Sequence, residues 1–186
     1  MVIDDAEAVR RVLAGEREAF RPLVNRHQAA VCATIRALIP NGVDWEDVAQ
    51  EVFLAAFRNL AAFDSRKGPL RTWLLAIARN QCRDVLRKSM AAQLPPVVEP
   101  VDNRTPPEIV SEGEWFARLD AGLATLPEEQ RVVFVLVELQ GVSYQSAAEI
   151  AGLNIGTVKS RLSRAKASLR EILRPLLAEQ NPSTVR

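Results

Sequence analysis

The sequence predicts an all-α protein of two small helical domains joined by an extended, acidic, proline-rich linker. Three observations carry this. Apolar residues recur at steps of three and four along most of the chain, the beat of helices with one buried edge. Hydrophobic residues make up 48% of the chain but aromatics only 5%, a balance that favours helix over sheet. Five of the eleven prolines, at 95, 96, 100, 106 and 107, fall within Ser89–Glu114. Proline lacks a backbone donor and restricts the residue before it, so no helix runs through this stretch.

The N-terminal half divides into four helices. The first spans about Asp5–Leu13 and the second about Arg17–Leu38, the latter ended by "IPNG". The third spans about Trp45–Ala61. Asp44 is placed to cap it, and Glu46 and Asp47 favour its positive end. The fourth spans about Leu70–Lys88, after the turn-like "FDSRKGP". Beyond the linker, "EWFARLDAGLATL" forms one helix. Pro127 opens another over Glu128–Leu139, which Gly141 ends. A short helix over Ser143–Ala151 precedes a longer one over Ile155–Leu173. Between them Gly152 suits a left-handed stop and Asn154 a cap. The domain boundaries expected are 1–90, a linker at 91–113, 114–175, and a tail at 176–186.

Net charge is only +1, but the charges are segregated. Residues 1–60 carry −2, 61–90 carry +5, 91–130 carry −6 and 131–186 carry +4. Two basic blocks flanking an acidic one fit two polyanion contacts joined by a segment that stays off the polyanion; ordinary charge fluctuation is the plain alternative.

Several function classes have no support. Cys32 and Cys82 are isolated and read as packed thiols of a reduced, cytoplasmic chain, a mutual disulfide being the alternative. With one histidine, His27, no metal site is expected. No unbroken apolar run exceeds six residues, the length of Val132–Val137, too short to span a bilayer, and the acidic first residues show no secretory signal. No nucleophile–base pair or phosphate-cradling glycine loop is evident. The expectation is a protein without catalysis, cofactor, metal or small-molecule ligand.

The C-terminal pair of helices points to DNA. On the longer one, Val158, Leu162, Ala165, Leu169 and Ile172 form the edge expected to be buried. Thr157, Ser160, Arg161 and Arg164 lie on another side, flanked by Lys159, Lys166 and Arg170. Helix, tight turn and basic helix together fit the major groove of duplex DNA. A solvated or membrane-surface helix is the bland alternative. "GVSYQSAAEIAGLNIGTVKSRLSRAKASLREIL", Gly141–Leu173, resembles the minus-thirty-five-binding region of bacterial sigma-70 family sigma factors of the extracytoplasmic-function (ECF, group IV) type. Its "GTVKSRL" and "RA" elements stand intact at Gly156–Ala165. Gln145 and Ser146 stand where that family usually carries acids. The resemblance implies that Asn154, Thr157, Lys159, Ser160, Arg161, Arg164 and Lys166 contact minus-thirty-five DNA.

The N-terminal half carries the rest of the resemblance. "DWEDVAQEVFLAAFRNL" has a broad buried face and a polar one holding Asp47, Gln50, Glu51, Arg58 and the odd apolar member Leu54. A lone exposed leucine is often neutral, but the segment resembles the ECF region that docks on the β′ clamp helices of core RNA polymerase. That likeness makes Asp47, Gln50, Glu51 and Leu54 polymerase contacts. "FDSRKGPLRTWLLAIARNQCRDVLRK" sets Arg79, Arg83 and Arg87 four apart in one cationic stripe, with Trp73 near the edge of the packing side. Charge beside an aromatic suits single-stranded nucleic acid; a solvated face and a core tryptophan are the alternatives. The stretch looks like the ECF region that recognises and melts the minus-ten element. It implies promoter contacts by Asp64, Ser65, Arg66, Lys67, Trp73, Arg79, Asn80, Arg83 and Arg87.

The resemblance thus spans region 2, linker and region 4. It implies a sigma factor that directs core polymerase to promoter DNA and helps open the minus-ten region. Its partners would be the β′ clamp helices, the β flap and an anti-sigma factor. The alternatives are a helix-turn-helix regulator acting without sigma activity, and a helical scaffold with solvated basic faces.

Overall fold

The computed structural model describes residues 3–39, 43–91 and 112–180. Among them every regular element is helical. In order these are α1 (Asp5–Leu13), a 3-10 turn at Arg17–Phe20, α2 (Arg21–Leu38), α3 (Trp45–Arg58), 3-10 turns at Leu60–Ala62 and Ser65–Lys67, α4 (Leu70–Ala91), α5 (Glu112–Thr125), α6 (Glu128–Phe134), a π turn at Val135–Leu139, α7 (Tyr144–Ala151) and α8 (Ile155–Gln180).

Most expected ends hold because their caps form. The Asp44 carboxylate accepts from the Glu46 and Asp47 amides, and Ser143 caps α7 through the Ser146 amide. Gly152 takes the left-handed conformation, φ 69°, that ends α7. The Asn154 side chain accepts from the Thr157 amide at 2.8 Å, satisfying a donor left open at the start of α8.

Several bounds differ from the expectation. The second helix begins as a 3-10 turn, and regular α-helix starts only at Arg21, with Pro22 in its first turn. The third stops at Arg58, where Asn59 turns the chain into a short 3-10 piece. The helix expected over Glu128–Leu139 widens at Val135. The Gln140 amide donates to the Val135 carbonyl, five residues back, at 2.9 Å. Its valine-rich run, Val132, Val133, Val135 and Val137, is β-branched and a poor α-helix former. The ends of the linker expected at 91–113 are helical, and its residues 92–111 lie outside the described residues, as do the "PNG" of the turn after α2 and positions 181–186. α8 runs on into the expected tail as far as Gln180.

Region by region, packing follows the apolar stripes. In the N-terminal half Leu23, Val31 and Ile35 of α2, Val48, Val52 and Ala56 of α3, and Leu70 and Leu74 of α4 are buried in one core. The Phe20 and Phe57 rings meet edge to face at 5.2 Å, and Arg36 stacks on Trp45 at 4.2 Å. His27 is buried and satisfied by Asp5 at 2.9 Å, which ties α1 to α2. Cys82 is buried and Cys32 partly so, both as free thiols. Burial pushes the Cys82 thiol up to about 12.

In the C-terminal half Leu123 of α5 and Leu126, just past its end, pack with Ala165 and Leu169 of α8. The expected edge of α8 is buried at Val158, Leu162, Ala165 and Leu169, but Ile172 is 42% exposed and Leu173 takes the buried place. The reason is geometric: a 3.6-residue turn outruns a strict four–three step as a helix lengthens. α5 and α8 approach at Gly122, where an added Cβ would lie 3.1 Å from Leu169 Cδ2. Gly122→Val is therefore expected to lower unfolding stability by roughly 1–3 kcal/mol through overpacking, measured by denaturant titration. Unchanged stability would show that α8 yields freely there.

Candidate nucleic-acid interface

Three surfaces carry the side chains singled out by sequence. On α3 the buried positions Val48, Val52 and Ala56 turn Asp47, Gln50, Glu51 and Arg58 to solvent. Leu54 stands among them, 44% exposed. The four expected polymerase contacts therefore share one open face.

The second surface is α4 and the loop before it. Asp64 caps the Ser65–Lys67 turn and accepts from Arg66 Nε at 2.9 Å and Nη2 at 2.8 Å. The Arg66 side-chain bond holds the Asp64 carboxyl below its usual range. Arg66 is thus paired at home although, like Ser65 and Lys67, it is exposed. Gly68 has φ 144°, a conformation that returns the chain to α4 and that residues with a Cβ rarely take. Trp73 is partly buried against the core, its ring 5.6 Å from that of Phe63, so it is in large part a packed residue.

Arg83, Arg87 and Asn80 are exposed, and Arg87 lies 3.4 Å from Asp84. Arg79 differs from them. Its Nη2 donates to the Ala151 carbonyl at 3.3 Å and its Nη1 to Asn80 at 3.1 Å. Its Nε is buried without a partner. Burial pushes the guanidinium down from its usual value, helped by Arg83. The straight stripe expected from i, i+4, i+8 spacing therefore spirals: each step of four advances about 40° around the helix. Arg79 ends up under α7 while Arg83 and Arg87 stay outside.

The third surface is α8. Val158, Leu162 and Ala165 are buried, which turns Ile155, Lys159, Ser160, Ser163 and Arg164 to solvent. Thr157 is intermediate and Ser160 donates to its carbonyl at 3.0 Å. Asn154 is exposed but its side-chain oxygen is committed to the cap. Arg161 pairs with Glu129 of α6 at 2.5 Å and its side chain is only 21% exposed. Lys166 pairs with Glu138 at 2.8 Å. Lys159, Ser160 and Arg164 are thus the outward members, while Arg161 and Lys166 also brace α8 on the preceding elements. Among the described residues no cluster could hold a metal ion, and no helix is long and apolar enough to cross a membrane.

Comparison with known proteins decides what these surfaces belong to. Residues 23–91 match the family described as Sigma-70 region 2, and residues 116–169 match Sigma-70, region 4. The chain is 34% identical over 171 residues to the ECF RNA polymerase sigma factor SigM of Mycobacterium tuberculosis, across 91% of this chain and 84% of that protein. This chain belongs to the ECF sigma factors of the sigma-70 family. It is also 30% identical to the ECF RNA polymerase sigma-E factor of Escherichia coli, over 94% of this chain and 97% of the other. Among solved structures it resembles CnrH in complex with the cytosolic domain of CnrY, at TM-score 0.69 and 31% identity, covering 92% of this chain and 97% of that one. The sigma factor RpoE of Bartonella quintana, in complex with the anti-sigma factor NepR, gives TM-score 0.69 at 26% identity over 83% and 96%.

Region 2 of this sigma factor therefore holds α2–α4, and region 4 holds most of α5–α8. Sequence reasoning missed what lies between the two. Arg71 of α4 donates through Nη1 to the Gln140 carbonyl and through Nη2 to the Gln140 side chain, both at 2.6 Å. Leu75, Ala78 and Cys82, on the same strip of α4 as Arg71, are buried as deeply as the expected packing side. One apolar core runs from α2–α4 into Val132, Val133, Leu136, Val142 and Ala148 of region 4. The available signal was the pair of apolar stripes on α4, Leu70–Leu74–Ile77 and Leu75–Ala78–Cys82, one more than a single domain needs.

Proposed function

We propose that this sigma factor recruits core RNA polymerase through α3 and reads promoter DNA through two separate basic faces. Asp47, Gln50, Glu51 and Leu54 meet the β′ clamp helices. Lys159, Ser160 and Arg164 face the major groove of the minus-thirty-five element, with Asn154, Thr157, Arg161 and Lys166 positioning α8 and completing the contact. Ser65, Lys67, Arg83 and Arg87, beside Asp64, Arg66, Trp73, Arg79 and Asn80, hold the opened minus-ten strand. The chain acts in the cytoplasm without chemistry of its own, since the polymerase makes the bonds. In region 4 an apolar groove lined by Leu119, Phe134, Leu139, Leu169 and Leu173 would receive the β flap. The anti-sigma factor NepR bound to RpoE of Bartonella quintana supports restraint of this chain by such a partner. The domains proposed are 1–90, 91–113 and 114–175.

The observation that carries the reading is an exposed leucine ringed by polar side chains on α3, in a chain whose two basic faces lie on other helices. A helix-turn-helix regulator without sigma activity would have no use for that face. Transcription with core polymerase from a pool of random upstream sequences tests it: start sites sharing two spaced motifs are expected, and their absence would refute it. Within this reading, Arg83→Ala with Arg87→Ala is expected to reduce permanganate reactivity of minus-ten thymines several-fold. Polymerase pull-down should stay at wild-type level, because neither residue is on α3. Undiminished reactivity would move the melting function elsewhere.

A further inference from the structure

We propose that Ile155 reads a thymine in the minus-thirty-five element, its side chain covering the 5-methyl group of that base in the major groove. The inference rests on α8 being the minus-thirty-five reader and adds to it a residue outside the cationic set. It begins with packing. Ile150 and Ala151 at the end of α7, and Leu153 in the turn after it, pack against the core. Ile155, the first residue of α8, does not follow them and is 38% exposed. A single exposed apolar residue is ordinary on an idle surface. The start of a helix that enters DNA is not idle, because its first residues are the ones that meet base edges.

The other residues of that first turn are committed elsewhere. The Asn154 side-chain oxygen accepts from the Thr157 amide at 2.8 Å, and its carbonyl accepts from the Val158 amide at 3.1 Å. Asparagine reads adenine with its side-chain oxygen and amino group together, and here the oxygen is taken. Gly156 has no side chain, and a Cβ there would lie 3.3 Å from Asn154 Oδ1. The cap and Gly156 therefore fit each other, and the bare backbone beside Ile155 lets the turn come close to a base. Thr157 is partly buried and Val158 fully so. Ile155 is thus the exposed side chain of the turn that has no other task.

Chemistry then selects the base. Isoleucine neither donates nor accepts a hydrogen bond. Against guanine, adenine or cytosine it would cover amino groups or acceptors on the base edge and give them no partner, which weakens binding. Thymine presents a methyl group in the major groove, and apolar side chains are the ones that meet it. Branching at Cβ restricts the Ile155 side chain to few rotamers in a helix, so the point of contact is fixed in advance. Lys159, one turn further on, and Arg164 are exposed for phosphates and other bases. The methyl contact adds selection without adding charge.

The test uses holoenzyme assembled with the full chain and a minus-thirty-five element taken from the random-pool transcription. Each thymine of the element, on either strand, is replaced singly by deoxyuridine, which removes only the methyl group. Binding is read by competition. The wild-type chain is expected to lose about fourfold at one thymine, as for one methyl group no longer covered. Ile155→Ser should bind thymine and uracil at that position alike, while Ile155→Val should keep most of the difference. Ile155→Ala repeats the measurement should circular dichroism show Ile155→Ser unfolded. An element with no uracil-sensitive thymine, or a sensitivity that survives removal of the isoleucine, overturns the role of Ile155. The sigma reading outlives either result, since the holoenzyme still prefers the element over unrelated sequence. A holoenzyme with no minus-thirty-five preference at all sinks the proposed function and this inference with it.

Discussion

Leu54→Glu is expected to weaken association with core polymerase about thirtyfold, a loss of about 2 kcal/mol. Leu54 is 44% exposed in the free chain, so its remaining apolar area is covered only when a partner arrives. Fully burying a leucine contributes about 1.5–3 kcal/mol, and the glutamate adds an unpaired charge at a desolvated point. The helix itself is not at stake. Leu54 lies outside the buried core, and glutamate is about as good a helix former as leucine. Titration of labelled core polymerase, with thermal melting of the free variant as control, checks both halves. Wild-type affinity in a normally folded variant would remove α3 from the docking surface.

Arg164→Ala is expected to have the second large effect, on promoter choice rather than polymerase binding. Arg164 is exposed on the outward side of α8, and among the described residues it has no ion-pair partner, unlike Arg161. An arginine meeting a base edge provides about 1–3 kcal/mol of discrimination, so holoenzyme should lose roughly fivefold to 150-fold of its preference for the correct minus-thirty-five base. Lys159→Ala serves as the contrast. A phosphate contact should weaken all sequences alike and reduce the salt slope by about one. Competition binding of holoenzyme at two or more salt concentrations separates the patterns. Uniform weakening by Arg164→Ala would make it a phosphate contact, and no change would place base reading on other residues of α8. The same exposed side carries Ile155, 38% exposed at the first turn, which periodicity alone did not mark.

These two results draw on the same kind of information in the chain. Leu54 and Arg164 were legible because helix phase assigns a side once the buried positions are known. Asp44, Ser143, Gly152 and Asn154 were legible for a similar reason: caps are local chemistry between residues two or three apart. Asn154 shows the limit of that logic. It was singled out for DNA, and the structure shows its side-chain oxygen already spent on the cap. The π turn at Val135–Leu139 was not legible, because an apolar run with no polar punctuation fits a regular helix equally well.

By itself the sequence determined an all-helical chain in two parts, the caps and faces of its helices, the segregation of charge, and through its motifs the family. All of these depend on neighbours within about one helical turn or on composition along a segment. Only the tertiary structure decided which charged groups remain available. Arg79 is turned into a seam with Ala151, Arg161 is held by Glu129, and Arg71 is bound by Gln140. Of these, Arg71 and Gln140 lie 69 residues apart, and no periodicity links them. Whether a cation faces a nucleic acid or its own protein depends on which surface packs over it, and that is settled only when separate helices are brought together.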